Sequence, residues 1–417
     1  MAKRDYYEVL GVEKSAVSIV VPEKSNEVEI STNLVDKNVQ KPILVSENEQ
    51  TKKYKLSNGV QLIITPNDVN EIVAMSIYAK GGSFLDKIPG TSVVVSDVIM
   101  KGTRKYSAIE LAKVLEENGI KISPAVRADA FTVSVLTTKP QYEKTIELLG
   151  EVLNNATFDD YEIEKTVSEK LNKIKRDRDV PLQVALENYK TLIYEGTPYS
   201  YTAKVLEKTL PKITHRDLVE YYENIFAPQN VIISINGNVD VEKVAEDLNE
   251  IFVNKKGQTF DYNSYKNSLG NLTSKKSAIN VIPETKTDWI FIAWRASSLE
   301  NKKDYATLQV IDSMLGSGMS SRLFKNLRDQ EGLAYQLGSA YGPNMLGGAF
   351  VVYIGTNPEN LDKARDGLLN EVYKFKNEFV GSKELQDAKD KLIGNYIISQ
   401  ETNLEKASTL AWFETSG

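Results

Sequence analysis

Ala130-Phe131-Thr132-Val133-Ser134-Val135-Leu136-Thr137-Thr138-Lys139-Pro140 is the stretch on which the fold turns. Apolar and polar side chains alternate along it, the period of a strand buried on one face, and Thr-x-Pro ends it. A helical pattern containing Leu148-Leu149 follows. Half a chain later the order returns: a strand from Gly348 to Gly355, then Thr356-Asn357-Pro358, then a helix with Leu368-Leu369. Upstream, Glu117-Asn118-Gly119 corresponds to Gln330-Glu331-Gly332. Self-similarity on this scale implies a duplicated unit. Strands mixed with helices without strict alternation imply an α+β fold, two similar domains in which an antiparallel-rich sheet packs with helices.

Working outward, Lys55 to Ile64 reads as strand, Asn58-Gly59 turn, strand. Ile72 to Ala79 is another strand. Ser107 to Gly119, Gln141 to Asn154 and Asp160 to Arg178 read as helices, the last charged and ended by Pro181. Thr214 caps a helix to Tyr222. Val231 to Gly237 is a strand and Val241 to Phe252 a helix. Trp289, Phe291 and Trp294 are expected on a strand with the aromatics on one face. The domains expected are 51–253 and 278–417, joined by a linker at 254–277 rich in Asn, Lys, Ser and Gly. Residues 1–50 form a leader and an arm that pairs as an extended strand. Asp5-Tyr6-Tyr7-Glu8-Val9-Leu10-Gly11-Val12 resembles the start of a J-domain, without the His-Pro-Asp loop that such a domain needs. The last helical stretch is expected to be cut short at Gly417.

Composition excludes several chemistries. The 417 residues contain no cysteine and one histidine, His215. Disulfides, thiolate ligands and cysteine nucleophiles are therefore absent, and a zinc site needing two or three imidazoles cannot be built from this chain alone. The net charge of −6 gives no basic footprint for nucleic acid. No apolar run approaches the roughly 20 residues that span a bilayer. No secretory signal opens the chain, which implies the cytoplasm, or the periplasm if the N-terminus is a grafted leader. Gly316-Ser317-Gly318 lacks the rest of a phosphate-loop fingerprint. His215-Arg216-Asp217-Leu218 imitates a kinase catalytic loop but has Tyr222 where the metal-binding Asn belongs.

A set of short motifs occurs in one order: Leu56-Ser57-Asn58-Gly59, Lys80-Gly81-Gly82-Ser83, Lys101-Gly102-Thr103, Ala227-Pro228-Gln229-Asn230, Ile235-Asn236-Gly237-Asn238-Val239, Gly316 to Leu323, and Leu327-Arg328 through Gly332-Leu333-Ala334-Tyr335. From about residue 50 onward the chain resembles the insulinase/pitrilysin-type metallopeptidases, relatives of mitochondrial processing peptidase. The resemblance implies a half-clamshell of two similar α+β domains, which closes over peptide with a second, homologous half.

In that family zinc is held by an inverted His-x-x-Glu-His motif and a distant Glu, and the Glu of the motif activates water. Counted back from Lys101-Gly102-Thr103, the motif slots here hold Val93, Ser96 and Asp97. The third-ligand slot, counted from Asp179-Val180-Pro181, falls at Lys173, with Glu169 nearby. The resemblance thus implies that this chain binds no metal and is inactive on its own. Zinc would sit in a partner half, either a separate subunit or an upstream part of the same chain. The half opposite the zinc supplies an Arg and a Tyr seven residues apart to the substrate, and Arg328 and Tyr335 match them. Gly316 and Gly318 fall in the family's flexible loop near substrate. The function implied is a non-catalytic half that positions peptide or unfolded protein for a zinc-bearing half. The alternative is a scaffolding relative with no proteolytic role.

Overall fold

The computed structural model describes residues 41–177, 180–268 and 287–416, with backbone only at 266–268. The J-like leader, most of the arm and the linker from 269 onward lie outside the described residues. In chain order the strands are β1 Ile43–Glu47, β2 Lys52–Lys55, β3 Gln61–Pro66, β4 Ile72–Lys80, β5 Lys121–Val126, β6 Ala130–Thr138, β7 Val231–Gly237, β8 Asp288–Ala296, β9 Gln336–Gly342 and β10 Gly348–Thr356. The helices are α1 Thr91–Val98, α2 Ala108–Glu117, α3 Tyr142–Asn155, α4 Asp160–Asp177, α5 Pro181–Ile193, α6 Ala203–Thr209, α7 His215–Ile225, α8 Val241–Phe252, α9 Tyr262–Ser268, α10 Lys302–Leu315, α11 Leu361–Asn377, α12 Ser382–Ile398 and α13 Asn403–Ser416. No described helix is long and apolar enough to cross a membrane.

The expected strand signals fold as read. Gly59 has φ 103, and the Leu56 amide closes the turn onto the Val60 carbonyl. The arm supplies β1, antiparallel to β2. The cap expected at Thr214 forms, and the structure adds a second at Ser107. Ser107 Oγ accepts from the Glu110 amide while Glu110 reaches back to Ser107, and the Asp217 carboxylate accepts from the Thr214 amide and hydroxyl.

The described residues divide into two compact units. One comprises 41–171, 205–261 and 399–416. Its seven strands run β1-β2-β3-β7-β4-β6-β5, antiparallel except for the parallel pair β3–β7. Phe131, Leu148, Leu149, Val152, Phe226 and Phe252 form its core, with no more than traces of exposed surface. The edge-to-face pair Phe131–Phe226 has centroids 5.7 Å apart. The other unit comprises 172–204 and 262–398 where described, around the antiparallel sheet β8-β10-β9.

The duplication is visible in topology. In one unit β4, helices, β5, β6, a 3-10 turn at Lys139–Gln141 and α3 pair as β4-β6-β5. In the other β8, α10, β9, β10, a 3-10 turn at Pro358–Asn360 and α11 pair as β8-β10-β9. Each repeat also takes a helix from the opposite half of the sequence. Helix α13 lies on β4 and β7, with Ala407, Ala411 and Thr415 buried at i, i+4, i+8 and Ala411 against Ile63 and Ile232. Helix α5 packs on β8, where Tyr189 stacks on Phe291 at 5.9 Å. Sequence reading passed over α5, because Pro181 looks like a stop. It is an N1 proline, and the amide hydrogen that it lacks is one of the first-turn donors that have no partner in the helix.

One strand expectation is corrected. Trp289 and Phe291 share a face of β8, with centroids 6.3 Å apart, but Trp294 has the opposite parity. Side chains alternate across a strand with period two, so positions 291 and 294 face opposite ways.

Candidate functional site

The helix that carries the motif slots, α1, opens on Gly90 (φ 99). The Asp86 carboxylate sits over its first turn, accepting from the Gly90 amide (2.9 Å), the Ser92 amide (2.7 Å) and Ser92 Oγ (3.0 Å). Burial pushes this carboxyl up to about 7, against the pull of those hydrogen bonds. An acid whose folded value lies above its unfolded one holds its proton longer in the folded state. That stabilisation is full below about pH 4 and is lost as pH rises through about 7. Stability is therefore expected to fall with rising pH over this window, by up to about 1.4 kcal/mol per unit. In Asp86→Asn this slope should flatten. Urea titrations of both proteins at several pH values measure it, and equal slopes would refute the assignment.

Further along α1, Val93 offers no lone pair and Ser96 Oγ donates to the Val93 carbonyl (2.9 Å). Asp97 is ion-paired, 2.7 Å from Lys170 Nζ on α4. Lys173, to which counting assigned the third slot, is exposed one turn further on. The α4 side chain that meets the motif is Lys170. The signal for it was the helical spacing of the buried Ile163 and Thr166, which puts 170 on the same face. Zinc needs three or four lone-pair donors, and a valine, a self-satisfied serine and a lysine-bound aspartate do not supply them. Among the described residues no three His, Cys, Asp or Glu side chains are grouped so that they could hold a metal ion. His215 starts α7, exposed, with Nε2 3.3 Å from the Thr157 carbonyl.

The three-strand unit holds a pocket of about 500 Å3. Gly316 and Gly318, from the loop after α10, line it together with Arg328 and Tyr335. Leu182, Trp289, Met319, Phe324, Leu337 and Tyr353 supply its apolar walls. Arg328 lies in a π-helical segment, Phe324–Gln330, and its guanidinium carbon stands 4.3 Å over the Phe324 ring. No carboxylate pairs with it among the described residues, so its planar N–H fork is unspent. Tyr335 is 92% exposed, one residue before β9. Behind the wall, Tyr353 stacks on Phe291 at 5.6 Å. Sequence reading picked Gly316, Gly318, Arg328 and Tyr335, and missed the walls that come from α5, β8, the π-helical segment, β9 and β10. A larger groove, about 920 Å3, lies between α2 and α4 around Ile109 and Tyr161, and contains none of the expected site residues.

Residues 62–213 match the insulinase family (peptidase family M16), and residues 212–392 match the peptidase M16 inactive domain. The chain belongs to the insulinase peptidase family. Over 363 residues it is 25% identical to an uncharacterized zinc protease, YmxG, of Bacillus subtilis, covering 86% of each chain. Over 334 residues it is 22% identical to a non-peptidase homolog of Helicobacter pylori, covering 80% of this chain and 76% of that one. Two solved structures share the fold, each with a TM-score of 0.77. One is a peptidase M16 inactive domain from Pseudomonas fluorescens (18% identity, 88% of each chain), the other a protease from Helicobacter pylori (19% identity, 88% and 90%).

Proposed function

We propose that this insulinase-family chain is a non-catalytic half that holds peptide for a zinc-bearing homologous half. The observation that carries the reading is the division of its two sites. The α1 slots are filled by groups that cannot hold zinc, and Asp97 is neutralised by Lys170. The pocket around Arg328 and Tyr335, in contrast, keeps a free guanidinium and an exposed phenol beside apolar walls. A guanidinium donates in pairs to peptide carbonyls, and a phenol donates to oxygen that gains charge during cleavage. The name of the Helicobacter pylori non-peptidase homolog fits a relative that has left catalysis.

The test is kinetics on the chain combined with the zinc-bearing homologue from its own source, with complex formation checked by sizing. The lone chain should not cleave an unstructured peptide, and the pair should. Arg328→Ala and Tyr335→Phe should each lower turnover of the pair about tenfold, on the scale of one lost charge-assisted or phenolic hydrogen bond. If Tyr335 acts on the transition state, kcat and kcat/KM fall together; if it only binds, KM rises. Unchanged kinetics in both variants would favour a scaffolding role. Chelator-resistant cleavage by the lone chain would overturn the proposal.

A further inference from the structure

The glycine loop of the pocket is tied down from behind. The Asp312 carbonyl, near the end of α10, accepts from the amides of Gly316 (3.1 Å) and Ser317 (3.0 Å) and from Ser339 Oγ (3.3 Å). The same hydroxyl lies 2.5 Å from Asp312 Oδ1, joining the helix end to β9. From α12, the Lys391 ammonium donates to the Ser317 carbonyl. It also faces Asp312, whose carboxyl burial raises while the lysine pulls it back. Gly318 has φ +99, and a Cβ there would stand 3.1 Å from Lys391 Nζ. The ammonium therefore closes a node of carbonyl oxygens and one carboxylate at the negative end of a helix.

We propose that Lys391 is a positioning residue for the peptide pocket. It holds the loop from Gly316 to Met319 in the arched form that lines the pocket, and does not itself line it. A segment with two glycines has much conformational freedom to lose when peptide binds. A charge-assisted bond from a separate helix removes that freedom beforehand, so less binding energy goes into ordering the loop. Met319, 77% exposed at the loop tip, has no such anchor of its own among the described residues.

The inference rests on reading this pocket as a peptide site, so the experiment has two arms on the full chain. Hydrogen exchange reads the order of Ser317–Ser321. Fluorescence anisotropy reads the Kd for a labelled unstructured peptide rich in leucine and tyrosine. Lys391→Met should speed loop exchange and raise Kd, each about tenfold, the scale of one lost hydrogen bond to a charged group. The melting temperature should hold, and Lys391→Arg should restore both readouts. Unchanged loop exchange would overturn the tether. Faster exchange with unchanged Kd would overturn the positioning role. A fall in melting temperature with faster exchange throughout would make Lys391 a fold residue instead, and also count against the proposal. If the wild-type chain binds no peptide, the pocket reading and the positioning role fail together, while the exchange arm still decides the tether.

Discussion

Gly316→Ala is expected to destabilise the three-strand unit by about 3 kcal/mol or more and to abolish peptide binding at its pocket. The cause is space, not backbone conformation, since Gly316 has an ordinary negative φ of −144. A Cβ built there would lie 2.0 Å from the Ser339 amide nitrogen, 2.5 Å from Ser339 Oγ and 2.6 Å from the Gly338 carbonyl carbon. Two of these are backbone atoms of β9, so no side-chain rotation relieves the clash. Either β9 moves off, loosening its ladder with β10, or the loop swings out and the pocket opens. Both routes break the hydrogen bond between Ser339 and Asp312. Gly394→Ala is the control. It sits inside α12 with nothing within 4 Å, and alanine there should stabilise by about 0.5–1 kcal/mol. Urea unfolding of both variants, followed by tryptophan fluorescence, checks the pair. A Gly316→Ala protein as stable as wild type and still binding peptide would show that the loop and β9 are not packed as described.

The elements with local causes were legible in the sequence. Alternation through Ala130–Thr138 makes β6, Asn58-Gly59 makes a turn, and Thr214 starts a helix. The repeat exposed the shared strand, Thr-x-Pro turn and paired-leucine helix, since both copies carry the same punctuation. Long-range pairing was not legible. Nothing near Val231 says that β7 inserts between β3 and β4, parallel to one and antiparallel to the other. Nor does the apolar pattern of α13 name the sheet that it covers. The pocket followed the same division. Arg328, Tyr335, Gly316 and Gly318 stand in one motif block, whereas Leu182 and Trp289 arrive through tertiary packing. Lys391 is one of several lysines on a charged helix, and only the fold shows that it reaches a loop carbonyl.

The other large effect concerns metal, and it follows from Lys170. Wild-type protein is expected to bind no stoichiometric zinc, and a chelator should leave its melting temperature unchanged. Its α1 and α4 are already joined by the Asp97–Lys170 pair, with the Asp97 side chain 48% exposed and the lysine 22%. So exposed a pair is worth little, about 1 kcal/mol or less. It can therefore be replaced without unfolding the unit. In Val93→His/Asp97→His/Lys170→Glu, two imidazoles stand four residues apart on one helical face, with a carboxylate facing them from α4. That triple variant should bind one zinc per chain, because three protein ligands with water in the fourth position suffice. Zinc should then raise its melting temperature, in proportion to how far free metal exceeds Kd, and chelation should reverse the gain. Without a glutamate in place of Ser96 the variant gains metal but no general base, so it should remain inactive on peptide. A matched variant with Lys173→Glu in place of Lys170→Glu should bind zinc far more weakly. Elemental analysis after dialysis, with melting curves with and without zinc, gives the answer. Tight zinc in the wild type, or equal affinity in the two variants, would mean that Lys170 does not occupy the third-ligand position.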